Sequence, residues 1–287
     1  MKTNLFIVGA AKSATTSFHD YLSQHPQINM SSIKEPNFFS KEEVCNDNLY
    51  YKGAPLVKNI DEYESLFVNE YKFKVRGESS VSYLFYPNVA KRLKEYNEKS
   101  KILIFLRNPV QRAFSHYLMD YTAGYFNISF SELIKKPKLN IKAYQQTVLQ
   151  SFYFDQVNRY LEVFGERNVK IIILEEIENK TNSVMKDIED FLCIDNYNAY
   201  SFVKKNRFSY SNSKLINFFY RSHFTKNLLR KFINKNDISN LKSIFLKASK
   251  PMITLDSKVF LENLFQEDVK NLSNLLKKDL NLIWKLK

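Results

Sequence analysis

The chain has 287 residues, 44% of them hydrophobic and 15% aromatic, which is enough apolar material for the core of one large α/β domain or two small ones. The formal net charge of +13 favours anionic partners such as nucleic acid, anionic lipid, acidic glycans or nucleotides, although a solvated basic surface gives the same charge. Since no hydrophobic run is long enough to cross a bilayer and the first strand begins too early for a signal sequence, we expect a soluble, cytoplasmic protein without a transmembrane segment.

The cysteines and histidines give no pattern of metal ligands. Cys45 and Cys193 are the only cysteines, are far apart in sequence and lack metal-type spacing. The four histidines also follow no ligand spacing. We therefore expect free thiols and no metal site.

The first predicted elements are a strand, a loop and a helix. Residues 4–9 are apolar and end in Gly9, residues 10–17 are small and polar around Lys12, and the apolar pattern resumes at Phe18. A loop of small residues entering a helix presents backbone N–H groups at the positive end of the helix dipole, so the segment predicts a phosphate or sulfate site. It is not a Walker A motif, because the second glycine is missing, and a plain strand-to-helix turn remains the alternative.

The segment from Lys34 to Ser40 carries a candidate general base. Because proline biases the preceding residue away from helix, we predict that Glu35 lies on an extended or turn segment, anchored by Phe38 and Phe39. A carboxylate held beside an anion site could take a proton from a substrate, although most glutamates in such loops are simply solvated.

The next elements are helices over 61–70 and 87–96 and strands over 72–78 and 101–106. The apolar run of residues 101–106 is typical of a buried parallel strand and ends in Arg107-Asn-Pro, with a helix starting at Pro109. P-loop nucleoside triphosphatases need a carboxylate at such a strand end to help hold Mg²⁺, whereas Arg107 attracts an anion. The only acidic candidates, Glu175 and Glu176, follow a different predicted strand, over 169–174. Further helices are predicted over 152–165 and 180–192.

These residues resemble the sulfotransferases that use 3′-phosphoadenosine 5′-phosphosulfate (PAPS). Residues 9–16 are similar to the family's loop for the 5′-phosphosulfate, and residues 107–115 match the motif that holds the 3′-phosphate. The resemblance implies one α/β domain over residues 1–287: a P-loop-like three-layer sandwich with a mainly parallel central sheet and helices on both faces. It implies a phosphosulfate site formed by Lys12, Ser13, Ala14, Thr15 and Thr16, and a 3′-phosphate site formed by Arg107 and Ser115. Lys12 would also be catalytic, stabilising charge on the bridging oxygen.

The resemblance is nearest to the branch that acts on heparan-type glycans. Its members carry Lys-Glu-Pro-x-Phe-Phe with the glutamate as catalytic base, and residues 34–39 fit this pattern, which implies that role for Glu35. Similarity continues through residues 78–83, 151–164 and 169–177, and residues 261–284 resemble the family's closing helices. Ser40 and Ser79 replace an aspartate and a lysine that lie near the acceptor in the 3-O-sulfotransferases, so the acceptor and the sulfated position stay open.

A basic stretch follows residue 203. Lys204, Lys205 and Arg207 are candidates for cofactor or acceptor contacts, and residues 215–235 could form a basic helix facing an acidic glycan. A solvated loop and an ordinary amphipathic surface helix are equally good explanations.

We expect transfer of a sulfuryl group from PAPS to a hydroxyl or amine of a carbohydrate acceptor, without a metal and without a nucleic-acid partner. One alternative is a nucleotide or small-molecule kinase on a degenerate P-loop. Another is a non-catalytic polyanion binder driven by the positive charge. Should Glu35 not be the base, His116 is the next residue to consider.

Overall fold

The centre of the fold is a five-stranded parallel sheet with the strand order β2-β3-β1-β4-β5. The structure is a computed structural model that describes residues 1–47, 57–68, 72–177, 180–202 and 251–286. Within these ranges the strands are β1 (Leu5–Gly9), β2 (Ile28–Met30), β3 (Val75–Ser79), β4 (Lys101–Leu106) and β5 (Val169–Ile173).

Helices connect and cover these strands. Those in the described ranges are α1 (Thr15–Leu22), α2 (Lys41–Asn46), α3 (Ile60–Glu64), α4 (Ser82–Phe85), α5 (Val89–Tyr96), α6 (Pro109–Ala123), α7 (Phe130–Lys135), α8 (Ile141–Thr147), α9 (Phe154–Phe164), α10 (Thr181–Leu192), α11 (Leu255–Leu276) and α12 (Leu280–Trp284). Among the described residues, no helix is both long enough and apolar enough to span a bilayer.

The sheet is buried on both faces. On one face, Leu5 of β1 and Leu103 of β4 pack in a cluster with residues of α1 and α10. On the other face, Phe6 and Ile102 pack in a larger cluster with residues of α4, α5, α6, α9 and α11. Because both sides of β1 and β4 face apolar side chains, their sequences are continuous apolar runs rather than alternating ones. The predicted α/β layering is confirmed.

Several predicted boundaries are confirmed within a few residues. The strand over 101–106 and the helix starting at Pro109 are observed as predicted, and both cysteines are free and exposed. The second predicted strand begins three residues later, at Val75, and the helix predicted from residue 61 is Ile60–Glu64. β2 was missed, since residues 28–30 look like a break in the pattern. An edge strand of three residues is too short to give a periodic signal.

Candidate active site

The candidate site lies where β1 and β4 end side by side. The two strands are parallel neighbours, so their carboxyl ends meet at one edge of the sheet. Beyond β1, the Ala10 amide still donates a hydrogen bond to the Phe105 carbonyl, at 2.7 Å. Position 9 requires a glycine, because a Cβ there would lie 2.7 Å from the Cβ of Leu84 on α4. The loop after β1 is thereby fixed against the end of β4.

The loop of residues 10–14 has the properties of an anion site. Lys12 and Ala14 have φ angles of 70° and 65°, in the left-handed region that side chains other than glycine rarely adopt and that concentrates at functional sites. Ala14 precedes α1 without a side-chain cap. Its carbonyl accepts from the Ser17 amide at 2.9 Å, so the amides of Thr15 and Thr16 are the first-turn donors without an acceptor within the helix. Ser13 is fully buried, and among the described residues its Oγ has no hydrogen-bond partner. A phosphate or sulfate oxygen would satisfy these donors.

Thr15 and Thr16 form the first turn of α1, so all five residues predicted for the 5′ end of the ligand are contiguous in space. Thr15 is buried and Thr16 is half-buried. Two hydroxyls on the turn that follows the loop add donors beside its amides.

Arg107 joins the second predicted anion site to the first. Its Nη1 donates to the carbonyl oxygen of Lys12 at 3.3 Å, and its own carbonyl accepts a hydrogen bond of 3.0 Å from the Tyr153 hydroxyl. The half-buried guanidinium therefore borders the Lys12 loop. Ser115 lies half-buried on the second turn of α6, the helix that begins two residues after Arg107.

The corner after β4 is held by residues that the sequence interpretation did not identify. Asn108 caps α6 by accepting from the Gln111 amide at 3.0 Å, and its side-chain amide donates to the Trp284 carbonyl at 2.7 Å. Glu175 accepts from the Asn108 amide through one carboxylate oxygen and from Trp284 Nε1 through the other, both at 2.9 Å. Glu175 thus orients the Arg107 corner and ties it to α12. The only signal in the sequence was its place directly after a buried strand.

Glu35 lies beside the end of β3, the other neighbour of β1. Its backbone amide donates to the Ser79 carbonyl at 2.9 Å, and its φ of 63° confirms the predicted turn conformation. One carboxylate oxygen accepts from the Val81 amide at 3.0 Å, and the other forms an ion pair with Lys34. The side chain is 31% exposed, so it is oriented by the protein and still accessible.

The two phenylalanines after Glu35 anchor this segment as predicted. Phe38 stacks on Tyr63 with ring centroids 4.9 Å apart, and Phe39 contacts Phe6 of β1 edge-to-face at 5.8 Å. Rigid aromatic packing of this kind holds the backbone of the turn in place. The structure therefore positions Lys12 and Glu35 at neighbouring strand ends.

Glu78, the penultimate residue of β3, is a second carboxyl in this region. It is fully buried, and burial raises its pKa from 4.5 to about 8, with a further contribution from the charge of Glu35. The Ser80 hydroxyl donates to one of its oxygens at 3.4 Å, and hydrogen bonding to Tyr83 and Ser80 opposes the rise in its pKa. Burial therefore favours the neutral form of Glu78, and Glu35 is the carboxylate that is accessible to a substrate.

His116 lies on α6 and is buried, with 1% of its surface exposed. Burial and the charges of Arg112 and Lys12 keep its pKa well below the ordinary value. A fully enclosed imidazole cannot contact an acceptor substrate, so His116 is not a suitable general base in place of Glu35. The basic residues Lys204, Lys205 and Arg207 and the segment 215–235 lie outside the described residues.

The site combines a parallel α/β sheet, a loop of small polar residues with a lysine after β1, and an arginine after β4, a geometry suited to a ligand with two anionic groups. The chain belongs to the sulfotransferase domain family, whose pattern matches residues 2–272. The resemblance inferred from the two motifs is therefore confirmed, as is the fold class.

Solved structures agree on the fold. The chain is similar to a sulfotransferase from Alicyclobacillus acidocaldarius, with 29% identity, a TM-score of 0.73 and coverage of 99% of both chains. It also resembles the mouse sulfotransferase SULT7A1, solved in complex with PAP, with 19% identity and a TM-score of 0.52 over 96% of this chain and 88% of that one. At that identity the likeness establishes the fold alone.

Among curated proteins, the chain is similar to the mouse bifunctional heparan sulfate N-deacetylase/N-sulfotransferase 4, with 26% identity over 204 residues. The aligned region covers 68% of this chain and 23% of that protein. The human N-deacetylase/N-sulfotransferase 2 is 27% identical over 66% of this chain and 22% of its own length. The chain thus spans less than a quarter of the length of these relatives.

The burial of Glu78 predicts how stability depends on pH. A carboxyl whose pKa rises on folding stabilises the fold fully below its unfolded value of 4.5, and this contribution is lost as pH rises to about 8. Each pKa unit corresponds to about 1.4 kcal/mol. The unfolding free energy of Glu78→Gln, measured relative to that of the wild type, should therefore be on the order of 3–5 kcal/mol more favourable at pH 8.5 than at pH 4.5. Urea unfolding at several pH values measures the difference.

The control is Glu98→Gln, at an exposed position. It should leave the pH profile of the unfolding free energy unchanged. Parallel profiles for the wild type and Glu78→Gln would contradict the assignment of a neutral, buried Glu78.

Proposed function

We propose that the chain transfers a sulfuryl group from PAPS to a hydroxyl or amine. The observation that carries the proposal is the hydrogen bond from Arg107 to the Lys12 carbonyl, because it places a fixed cation at the β4 end directly beside the anion-binding loop of β1. Membership of the sulfotransferase family supports the same reaction. We propose further that residues 1–287 form one domain and act in the cytoplasm.

The residues present fit the nucleotide. Lys12, Ser13, Ala14, Thr15 and Thr16 would hold the 5′-phosphosulfate, with the unpartnered Ser13 Oγ as the clearest free hydrogen-bonding group among the described residues of the loop. Arg107 and Ser115 would hold the 3′-phosphate, which ATP lacks, and so select the donor. When bound, PAPS supplies the sulfuryl group that is transferred.

The protein's part in the reaction would be positioning, proton removal and charge stabilisation. Glu35 would accept the proton of the attacking hydroxyl or amine, and its hydrogen bond from the Val81 amide keeps the carboxylate in one orientation. Lys12 would place its ammonium against the negative charge that develops on the phosphate oxygen as the sulfur–oxygen bond breaks.

A kinase on a degenerate P-loop is the strongest alternative enzyme. It would need a Mg²⁺-binding carboxylate at the end of a central strand. Both oxygens of Glu175 accept hydrogen bonds from Asn108 and Trp284, and Glu176 forms a 2.7 Å ion pair with Lys278. These two carboxylates have structural partners, which favours the sulfotransferase.

We propose a glycan as the acceptor. Residues 34–39 match the pattern of the heparan-type branch, and two of the curated relatives are named as heparan sulfate N-deacetylase/N-sulfotransferases. The partial exposure of Glu35 supports an accessible cleft that a chain-like substrate could enter. A polyanion binder without catalysis would leave the ordered carboxylate of Glu35 without a role.

The first prediction concerns the donor. Calorimetry should show binding of 3′-phosphoadenosine 5′-phosphate without added metal and much weaker binding of ADP. Losing a hydrogen bond to a charged group costs about 1.5–3 kcal/mol, so Arg107→Ala should weaken binding roughly ten- to a hundredfold. Arg167→Ala is the matched control. Arg167 is exposed and lies just before β5, at the amino ends of the strands and so at the opposite end of the sheet from the proposed site. Equal affinity for ADP, or a requirement for Mg²⁺, would favour the kinase instead.

The second prediction separates chemistry from binding. Glu35→Gln retains an oxygen for the Val81 amide but cannot take a proton, so turnover should fall by about 10²–10⁴-fold with nucleotide affinity nearly unchanged. Glu42→Gln, a nearby exposed carboxylate that pairs with Arg92, should turn over like the wild type. Lys12→Ala should impair both binding and turnover. Full activity of Glu35→Gln would move the base to another residue.

The third prediction concerns the acceptor. A long polyanionic glycan should bind with marked salt dependence, since exposed charges are screened beyond a Debye length of about 8–10 Å at physiological ionic strength. Radiolabelled PAPS incubated with a panel of acceptors at two salt concentrations should place label on oligosaccharides, with less label at the higher concentration. Label confined to small hydrophobic alcohols or phenols, insensitive to salt, would refute the glycan acceptor and leave sulfuryl transfer intact.

A further inference from the structure

Three buried polar side chains form a row along α6. Arg112, His116 and Asp120 are spaced four residues apart, which aligns them on one helix face, and none is more than 1% exposed. Arg112 fixes one end of the row: it donates to the Ser151 hydroxyl at 2.6 Å and to the Gln146 and Thr147 carbonyls at 2.9 and 2.6 Å.

The row sets the proton position on His116. Arg112 Nη1 lies 3.1 Å from His116 Nδ1, and because a guanidinium can only donate, Nδ1 must be the acceptor. The burial that lowers the pKa of His116 keeps the ring neutral, so its single proton is on Nε2. That nitrogen faces Asp120 Oδ2 at 3.6 Å.

Asp120 lies at the end of the row that the Lys12 side chain reaches. Neither of its carboxylate oxygens has a hydrogen-bond partner among the described residues, which is costly for a fully buried ionised group. Burial raises the pKa of Asp120 to about 7, and the charges of Lys12 and Arg112 oppose that rise. Among the described residues, the charge of Asp120 also acts on Tyr125, whose pKa is raised by burial and by that charge.

Lys12 reaches the same end of the row. Its Nζ donates to the sulfur of Met119, the residue before Asp120, at 3.2 Å. The cation proposed for the 5′-phosphosulfate therefore lies against α6 next to Asp120, close enough for its charge to lower the pKa of that carboxyl.

We infer that Asp120 and the bound nucleotide compete for Lys12, so that nucleotide binding is coupled to uptake of a proton by Asp120. This inference rests on the proposed function, since it requires the Lys12 loop to bind the 5′ end of the nucleotide. Asp120 touches neither reactant. It is a positioning residue that acts through the Lys12 ammonium.

The sign of the coupling follows from the charges. When the ammonium turns to the 5′-phosphate, Asp120 loses a positive neighbour and a negative group arrives nearby, and both changes favour its neutral form. An Asp120 that is ionised before binding therefore gains a proton when the nucleotide binds, and binding near neutral pH takes up protons. By linkage, nucleotide affinity must fall as pH rises above about 7.

The test is calorimetry of 3′-phosphoadenosine 5′-phosphate binding at pH 7 in two buffers of different ionisation enthalpy, for the wild type and Asp120→Asn. The nucleotide's own phosphates titrate near pH 6 in both proteins, so their contribution cancels in the difference. The wild type should take up more protons than the variant. Between pH 7 and pH 8.5 its Kd should rise about tenfold more than that of Asp120→Asn.

Asp268→Asn is the matched control. Asp268 is a half-buried aspartate whose pKa is likewise raised by burial, to about 6, but it accepts from the Tyr153 and Phe154 amides at the start of α9. The Asp268→Asn variant should take up as many protons on nucleotide binding as the wild type does.

Equal proton uptake by the wild type and Asp120→Asn would overturn the inference and leave the proposed function standing. Failure of the wild type to bind the nucleotide at all would overturn both. Should Asp120→Asn not fold, carboxyl NMR of the wild type decides: the pKa of Asp120 must increase on nucleotide binding, and an unchanged value would refute the coupling.

Discussion

The pairing of β1 with β4 is the constraint on which the site depends. Two parallel strands place both of their carboxyl ends at one edge, and the hydrogen bond from Ala10 to Phe105 extends this contact past the last strand residue. Arg107 then reaches the carbonyl of Lys12. Two segments almost a hundred residues apart in sequence thus form one cationic edge, and the chemistry proposed for the chain follows from that adjacency.

Burial of ionisable groups at this edge divides the carboxyls into two kinds. Glu78 and Asp120 are enclosed, and burial raises the pKa of each towards or above neutrality. Glu35 keeps contact with solvent and accepts hydrogen bonds from Val81 and Lys34. In its neutral form Glu78 adds no negative charge beside the proposed anion site, while the solvent-accessible Glu35 can take a proton. We expect the burial of Glu78 to lower protein stability as pH rises.

Much of this arrangement could be predicted from the sequence, because local patterns determine it. The run over 101–106, the glycine at the end of β1 and the arginine after β4 each give a signal within a few residues, and together they predict the two proposed anion-binding elements, which the structure brings side by side. The residues that hold the site together gave no such signal. Glu175 and Trp284 meet at the Arg107 corner only in the tertiary fold. The row of Arg112, His116 and Asp120 on α6 bears on the site only because Lys12 lies close to Asp120. β2 was not predicted because a strand of three residues is too short to give a periodic signal.

A crystal structure of the chain with bound 3′-phosphoadenosine 5′-phosphate would test the proposed site most directly. We predict that the 5′-phosphate lies in the loop of residues 10–14, with Lys12 and Ser13 as partners, and that the 3′-phosphate lies between Arg107 and Ser115. We also predict that the Lys12 ammonium leaves Met119 in that complex. A nucleotide bound elsewhere, or one that leaves the guanidinium of Arg107 without a phosphate partner, would contradict the proposed site.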